Sequence, residues 1–187
     1  MRNKLCKSMM LISIIFIPIL FSCASTQQKQ SESRDAEFYY NRAEVAQAME
    51  AGSNLYIAYL KGPTTDVRIE KERAKIDDFC DFIYNAYIVD SNIYFIAEPP
   101  SANRIVVGRH YKVSTDGVIT KSTKSCFSLQ PVSTYTVFFS VTHLLSDTPS
   151  EFHVFLSLKY KIPIYVLTQK CTWKVDQGKI TFVEKRK

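Results

Sequence analysis

The sequence predicts an α+β fold in which N-terminal helices pack on a strongly curved antiparallel sheet. Helical patterns occupy residues 36–51 and about 64–87, and apolar and polar residues alternate through most of the chain after Asn92. The composition agrees, because 11 Tyr and 12 Phe stand against only 5 Gly, a balance that favours strands. Helices followed by a run of strands are typical of the α+β class.

Two helices are predicted first. Helix formers occupy residues 36–51, and Gly52 is placed to end this helix. Residues 54–60 then have strand character, although the pattern also allows the helix to continue past Gly52. Thr64 or Thr65 can cap the second helix. Its apolar face comprises Ile69, Ile76, Phe79, Cys80, Ile83 and Tyr87.

The strands that follow are separated by recognisable turns. A short strand at residues 94–96 precedes a hairpin whose turn contains Asp116-Gly117. Residues 135–145 alternate as a further strand, and a closing hairpin turns at Asp176-Gln177-Gly178.

The longest alternation in the chain lies between these last two strands. Every even-numbered residue from 152 to 166 is apolar, which predicts one long strand. Such a strand would span about 50 Å if straight, so we expect it to bend or break at Pro163.

The end of the chain carries a weak family pattern. Trp173, Val175, Gly178 and Ile180 have a spacing that resembles the end of NTF2-like chains, over about ten residues. This resemblance implies a cone-shaped roll of the NTF2-like or cystatin-like kind. A closed lipocalin-like barrel is the alternative architecture.

The amino terminus has the anatomy of a secretory signal. Arg2, Lys4 and Lys7 precede an uncharged apolar run over residues 9–21. A membrane-spanning helix needs about 20 apolar residues, so this shorter run is typical of a signal peptide. Removing these three cations with the signal lowers the formal net charge from +6 to +3.

The signal ends in Leu20-Phe21-Ser22-Cys23, and this segment resembles the lipobox of bacterial lipoprotein precursors. Leu20, Ser22 and Cys23 match that motif, whereas Phe21 is bulkier than usual. The resemblance implies a signal peptide over residues 1–22 and a diacylglycerol on the Cys23 thiol, with a further acyl chain on its amino group. Ala24 after the cysteine implies the outer membrane of the bacterial envelope.

The remaining chain divides into a tether and one domain. Residues 24–35 contain no side chain able to anchor a core, so residues 23–35 are predicted to be a lipidated, flexible tether. Residues 36–187 have the length of a single domain.

Three cysteines fall within this domain. Cys126 and Cys171 lie in predicted strands and can face each other across a sheet in an oxidising envelope. Cys80 would then be a buried thiol on its helix. Three separate buried thiols are the alternative.

No motif points to a catalytic or metal site. His110, His143 and His153 lack the spacing of metal ligands, which favours isolated surface or edge histidines. No nucleophile elbow or phosphate-binding glycine loop is present, so no cofactor is predicted. The chain also lacks the basic-aromatic motifs of nucleic-acid-binding modules.

These observations predict a non-enzymatic lipoprotein of the envelope. It would be held in the membrane by acyl chains on Cys23 and would bind a protein partner or stabilise an envelope assembly. A carrier that holds a lipid or another small hydrophobic ligand in the curved sheet is the alternative. A hydrolase assembled from distant residues is the third hypothesis.

Overall fold

The computed structural model describes residues 41–77, 79–102, 104–129 and 136–186. The predicted signal peptide over residues 1–22 and the predicted lipidated tether over residues 23–35 lie outside the described residues. The described part belongs to one compact unit, Ala36–Lys187.

Three helices occur among the described residues, and polar residues cap the first two. Asn41 accepts a hydrogen bond from the backbone N–H of Ala43, and Asp66 accepts one from that of Arg68. These bonds satisfy N–H groups that the first turn of a helix leaves unpaired. The helices are α1 (Arg42–Lys61), α2 (Val67–Arg73) and α3 (Glu151–Tyr160).

The first sheet is antiparallel and has the strand order β1-β2-β4-β5. The first pair is a tight hairpin, because Val89 pairs with Asn92 across two residues of positive φ. The predicted Asp116-Gly117 turn is confirmed between the last two strands. The strands are β1 (Ile83–Val89), β2 (Asn92–Glu98), β4 (Tyr111–Val113) and β5 (Ile119–Lys121), and a separate two-stranded sheet pairs β3 (Ile105–Val106) with β6 (Ser128–Leu129).

The second sheet is mixed and has the order β10-β9-β8-β7. The β7 and β8 strands are parallel, and α3 connects them. The hairpin at Asp176-Gln177-Gly178 is confirmed, since β9 and β10 pair antiparallel across it. The strands are β7 (Phe139–Thr142), β8 (Ile164–Leu167), β9 (Cys171–Asp176) and β10 (Lys179–Lys185).

Both faces of the first sheet are buried. Tyr94 and Ile96 of β2 join a large core cluster that also takes side chains from α1, α3, β8 and β9. Ile93 and Phe95 point to the opposite face, where Ile69 of α2 and the segment after it cover the sheet. Residues alternate between faces along a strand, so a central strand packed on both sides is apolar throughout.

The α+β class is confirmed, but the described strands do not form the single antiparallel sheet of the prediction. The strands form two four-stranded sheets and a two-stranded one, and the β7–β8 pair is parallel because a helix makes the connection. The alternative of a closed lipocalin-like barrel is also wrong, because neither four-stranded sheet pairs its first strand with its last.

The prediction that Gly52 ends the first helix is wrong, and so is the strand predicted at residues 54–60. The α1 helix continues through both, which was the interpretation left open. The glycine serves packing instead, because a Cβ atom at this position would lie 2.6 Å from the carbonyl oxygen of Glu151. Gly52 therefore allows α1 and α3 to approach closely.

The second helix is shorter than its apolar face predicts. It ends at Arg73, and Ile83 to Tyr87 lie in β1. Residues 83–89 are mostly β-branched and aromatic, and they pair along their whole length with β2. Cys80 accordingly lies in a loop and not on a helix.

The long strand predicted over residues 152–166 is α3 followed by β8. Phe155 is apolar between apolar even-numbered residues, so this helix is buried almost all round and loses its helical periodicity. Lys161 ends the helix with φ 54°, and Pro163 follows at the predicted break.

Candidate functional site

The sequence predicts isolated histidines at the surface or at strand edges. This prediction is wrong, because all three histidines are buried. His143 and His153 are in contact, with ring centroids 4.8 Å apart, and His110 stacks on Phe152 at 5.8 Å. We call His110, His143 and His153 the histidine cluster. Buried titratable groups that lie close together are typical of functional sites, so this cluster is the candidate site.

His110 is fully hydrogen-bonded by the first sheet and the strand beside it. Its Nδ1 accepts the backbone N–H of Ala97 at 3.0 Å, so the proton is on Nε2, which donates to the carbonyl oxygen of Val106 at 3.1 Å. Burial lowers the pKa of His110 to about 3; the hydrogen bond to Val106 opposes this shift, and the positive charge of Lys159 contributes to it. His110 therefore stays neutral and holds the two backbone segments together.

His153 connects the start of α3 to the loop before it. It is the third residue of the helix, and its Nδ1 accepts the backbone N–H of Ser150 at 3.1 Å. The Ser150 hydroxyl lies 3.0 Å from the same nitrogen. This arrangement is that of a capping box, with histidine in the place of Glu or Gln. Burial lowers the pKa of His153 well below its usual value, and the neighbouring histidines add to the shift.

His143 contacts the hydroxyl group of Ser146, a side chain of the kind that acts as a nucleophile in many enzymes. Its Nε2 lies 3.0 Å from the Ser146 Oγ, and that hydroxyl donates to the carbonyl oxygen of Thr148 at 2.5 Å. Because a hydroxyl has one proton, His143 must be the donor to Ser146. A general base has to accept the serine proton, so this pair is not arranged for nucleophilic attack. Burial lowers the pKa of His143, and the nearby Glu151 opposes that shift.

A polar groove of about 370 Å³ lies beside the histidine cluster. Glu44 of α1, Lys112 of β4 and Glu151 of α3 line it together with Ser146 and Ser150. Lys112 and Glu151 form an ion pair at 3.3 Å, which neutralises most of the charge at the centre of the groove. The described residues contain no group of three His, Cys, Asp or Glu side chains that could hold a metal ion.

A buried ion pair lies elsewhere in the core. The Lys159 Nζ is 2.8 Å from Glu98 Oε2 and 4.6 Å from the centre of the Tyr59 ring, and only 8% of the lysine side chain is exposed. The other Glu98 oxygen is buried without a hydrogen-bond partner among the described residues. Charge and aromatic contacts fix Lys159 in place, so it is not available as a surface cation.

The cysteines are not paired as the sequence predicts. Cys126 forms a disulfide with Cys80, and Cys171 is a buried free thiol. Cys171 points from β9 into the large core, whereas Cys80 lies in the loop that crosses the other face of the first sheet. That loop reaches the segment after β5, where Cys126 lies. The Cys126–Cys171 prediction is therefore wrong, and Cys23 lies outside the described residues.

One local signal for the histidine cluster was present in the sequence. Ser150 stands three residues before His153 and directly after Pro149, a pattern that indicates the start of a helix. It would have placed His153 in a first helical turn. No comparable signal brings His110 or His143 to the same place, because that contact depends on how the two sheets pack.

No helix of the described chain has the length and apolar character needed to cross a bilayer. No protein-family model matches the chain, and searches of curated proteins and of solved structures found no match.

Proposed function

We propose that this chain is a lipid-anchored protein of the bacterial envelope that acts without catalysis, by binding a partner or stabilising an envelope assembly. The observation that carries the proposal is the run from the cationic start through the short apolar segment to Leu20, Ser22 and Cys23. Two or three acyl chains on Cys23 would hold the protein durably in the outer membrane.

The disulfide supports an extracytoplasmic location. Cys80 and Cys126 are 46 residues apart in sequence, and their bond joins the segment after α2 to the segment after β5. Structural disulfides persist mainly in oxidising compartments such as the bacterial periplasm. Export through the signal peptide would deliver the domain to such a compartment.

The hydrogen bonds of the histidine cluster support a role without catalysis. His110 uses both ring nitrogens on backbone groups, and His153 accepts from the backbone of Ser150. The proton of Ser146 is directed to a carbonyl oxygen and away from His143. These histidines therefore act as fixed connectors between backbone segments, which is a structural task.

Intact-mass analysis of the chain purified from membranes tests the anchor. We expect a mature chain that begins at Cys23 and carries the mass of its acyl groups, and we expect Cys23→Ala to leave the membrane fraction. Ser22→Ala is the matched control, because a small residue is kept before the cysteine. An unlipidated mature chain, or Cys23→Ala protein that stays in the membrane fraction, contradicts the proposal.

Crosslinking in the native envelope tests the partner. We expect a defined adduct between the lipid-anchored protein and another envelope component. Recovery of only the monomer, with efficient crosslinking of a known assembly in the same sample, contradicts partner binding.

The alternative is a carrier of a lipid or a small hydrophobic ligand. A groove of about 410 Å³ lined by Tyr56, Leu158 and neighbouring polar residues is a candidate site for such a ligand. Mass spectrometry of an organic extract of the purified protein distinguishes the two functions, because only a carrier should release a stoichiometric hydrophobic compound.

For the finer fold, we propose a roll of the NTF2-like or cystatin-like kind. The packing of α1 against both β1 and α3 supports it. The parallel β7–β8 pair counts against it, because the curved sheet of the prediction is antiparallel throughout. An experimental structure in which the sheets do not wrap around α1 would contradict this assignment.

A further inference from the structure

Two leucines are exposed next to a lysine at one end of the domain. Leu144 and Leu145 lie after β7, separated from it by His143, and 52% and 41% of their respective surfaces are accessible. They line a shallow groove of about 110 Å³ with Phe127 and Lys124 from the segment after β5. We call Lys124, Phe127, Leu144 and Leu145 the leucine–lysine face.

Lys124 supplies the charge of this face. The Arg109 guanidinium donates two hydrogen bonds to the backbone carbonyl oxygen of Lys124, at 2.7 and 3.1 Å, and so holds the backbone at Lys124 in place. No Asp or Glu is among the described residues that line the groove. Asp147 follows two residues after Leu145, and Lys170 pairs with it at 2.5 Å.

The start of α1 lies at the same end of the domain. Glu44, in the first turn of α1, shares the polar groove with Ser146 and Thr148, which follow the two leucines in sequence. Eighteen residues lie between Cys23 and Arg42, where α1 begins. Such a segment can reach at most about 60 Å, and much less on average when it is flexible. The leucine–lysine face therefore lies near the point where a lipid anchor would pull the domain toward the bilayer.

We infer that the leucine–lysine face rests on the anionic lipid surface of the membrane that holds Cys23. Leu144 and Leu145 would enter the boundary between headgroups and acyl chains, and Lys124 would lie at the level of the lipid phosphates. A protein partner fits less well, because two leucines and a shallow groove are far smaller than the ~800 Å² per side of a stable protein interface.

The inference rests on the proposed lipid anchor, which makes a weak surface contact effective. Without the anchor, two partly inserted leucines and one lysine would bind a bilayer weakly. Once Cys23 is acylated, the same contact becomes intramolecular and its effective concentration rises. The contact would fix the orientation of the domain and present the opposite end to the envelope space.

Vesicle co-sedimentation tests the face independently of the anchor. The mature chain with Cys23→Ser, produced without its signal peptide, is mixed with vesicles of phosphatidylcholine, with or without phosphatidylglycerol. We expect binding only when phosphatidylglycerol is present, and weaker binding as salt rises. Lys124→Gln should weaken binding about fivefold, and Leu144→Ser with Leu145→Ser should weaken it at least about tenfold.

The matched controls remove the same groups elsewhere. Val67→Ser with Ile83→Ser replaces two apolar residues that are more exposed than the leucines, and Lys71→Gln removes an exposed cation. We expect these variants to bind like the parent chain, with unchanged circular dichroism. No binding to the anionic vesicles, or equal losses in both sets of variants, overturns the inference while leaving the acylation of Cys23 intact.

A photo-activatable amino acid in place of Leu145 gives a second readout in cells, with the lipid-anchored protein. We expect adducts with lipid. A discrete protein adduct at this position overturns the inference and identifies the face as a protein interface. Absence of acylation by intact mass would instead contradict the anchor, and the vesicle result would still report on the face.

Discussion

A Cβ atom on Gly52 of α1 would lie 2.5 Å from the Cβ of Val154 on α3, closer than packed carbon atoms approach. Gly52 is therefore the point where the two helices of the large core meet. Val154 is fully buried there and joins the same cluster as Trp173 of the second sheet. The contact couples the N-terminal helix to the second sheet through α3.

Gly52→Ala should destabilise the domain by about 2–3 kcal/mol, because the added methyl group overpacks the contact between α1 and α3. Helix propensity alone predicts the opposite, a gain of about 1 kcal/mol for Ala over Gly inside a helix. Urea denaturation measures the difference in the free energy of unfolding. Gly117→Ala is the control, since its added Cβ meets no atom within 4 Å and only its positive φ opposes the change. A more stable Gly52→Ala variant would contradict the close contact.

Apart from the α+β class, the features that the sequence predicts correctly are turns that depend on neighbouring residues. The Asp116-Gly117 turn depends on the conformational preference of two adjacent residues, so it could be identified without knowledge of the fold. The α3 helix was missed because Phe155 between apolar neighbours removes the periodicity that separates helix from strand. The Cys80–Cys126 pair was missed because the partner of a cysteine depends on which loops meet in space.

The candidate site was less predictable than the fold class. His110 directly precedes β4 of the first sheet and His143 directly follows β7 of the second, so only the packing of the two sheets brings them near His153. The segment Leu20–Cys23 that resembles a lipobox, by contrast, is contiguous in sequence and is the basis of the proposed function. A function that depends on a linear motif can be proposed from sequence, whereas a cluster of distant side chains cannot.

Stability should decrease as the pH falls below about 6.5, because of the histidine cluster. In the unfolded chain each histidine binds a proton near this pH, whereas burial keeps the pKa of all three lower in the native state. The unfolded state then binds more protons, so acid favours it. Each histidine contributes up to about 1.4 kcal/mol per pH unit until its native pKa is reached, which for His110 is about 3.

Urea denaturation at about pH 7.5 and about pH 5.5 checks this dependence, since the range brackets the unfolded histidine pKa. His153→Asn is the informative variant, because its amide oxygen can still accept the Ser150 N–H but cannot be protonated in this range. We expect a shallower loss of stability on acidification than in the parent chain. An unchanged pH dependence would show that His153 is not held neutral.

Lys159→Met should cost about 2–3 kcal/mol, because it leaves the Glu98 carboxylate in the core without its cation. Removing one member of a buried pair usually costs about 3–5 kcal/mol, and the 21% exposure of the Glu98 side chain reduces that loss. Combining Lys159→Met with Glu98→Gln should recover most of it, since no charge is then left alone. Thermal unfolding of the two single variants and the double variant gives the coupling free energy. Additive losses would mean that Lys159 stabilises the domain through its contacts with aromatic rings and not through its ion pair.

The disulfide should stabilise the domain more than the free thiol does, because only the bond closes a loop in the unfolded chain. Joining Cys80 to Cys126 restricts a loop of about 46 residues, so Cys126→Ser should cost about 2–4 kcal/mol. Cys171→Ala is the control, because Cys171 is buried but unpaired and loses only a small side chain. Reduction should lower the unfolding temperature of the parent chain and of Cys171→Ala alike, and should leave Cys126→Ser unchanged. Peptide mapping without reduction provides the direct check, and a peptide linking Cys126 to Cys171 would contradict the pairing and place β9 outside the core.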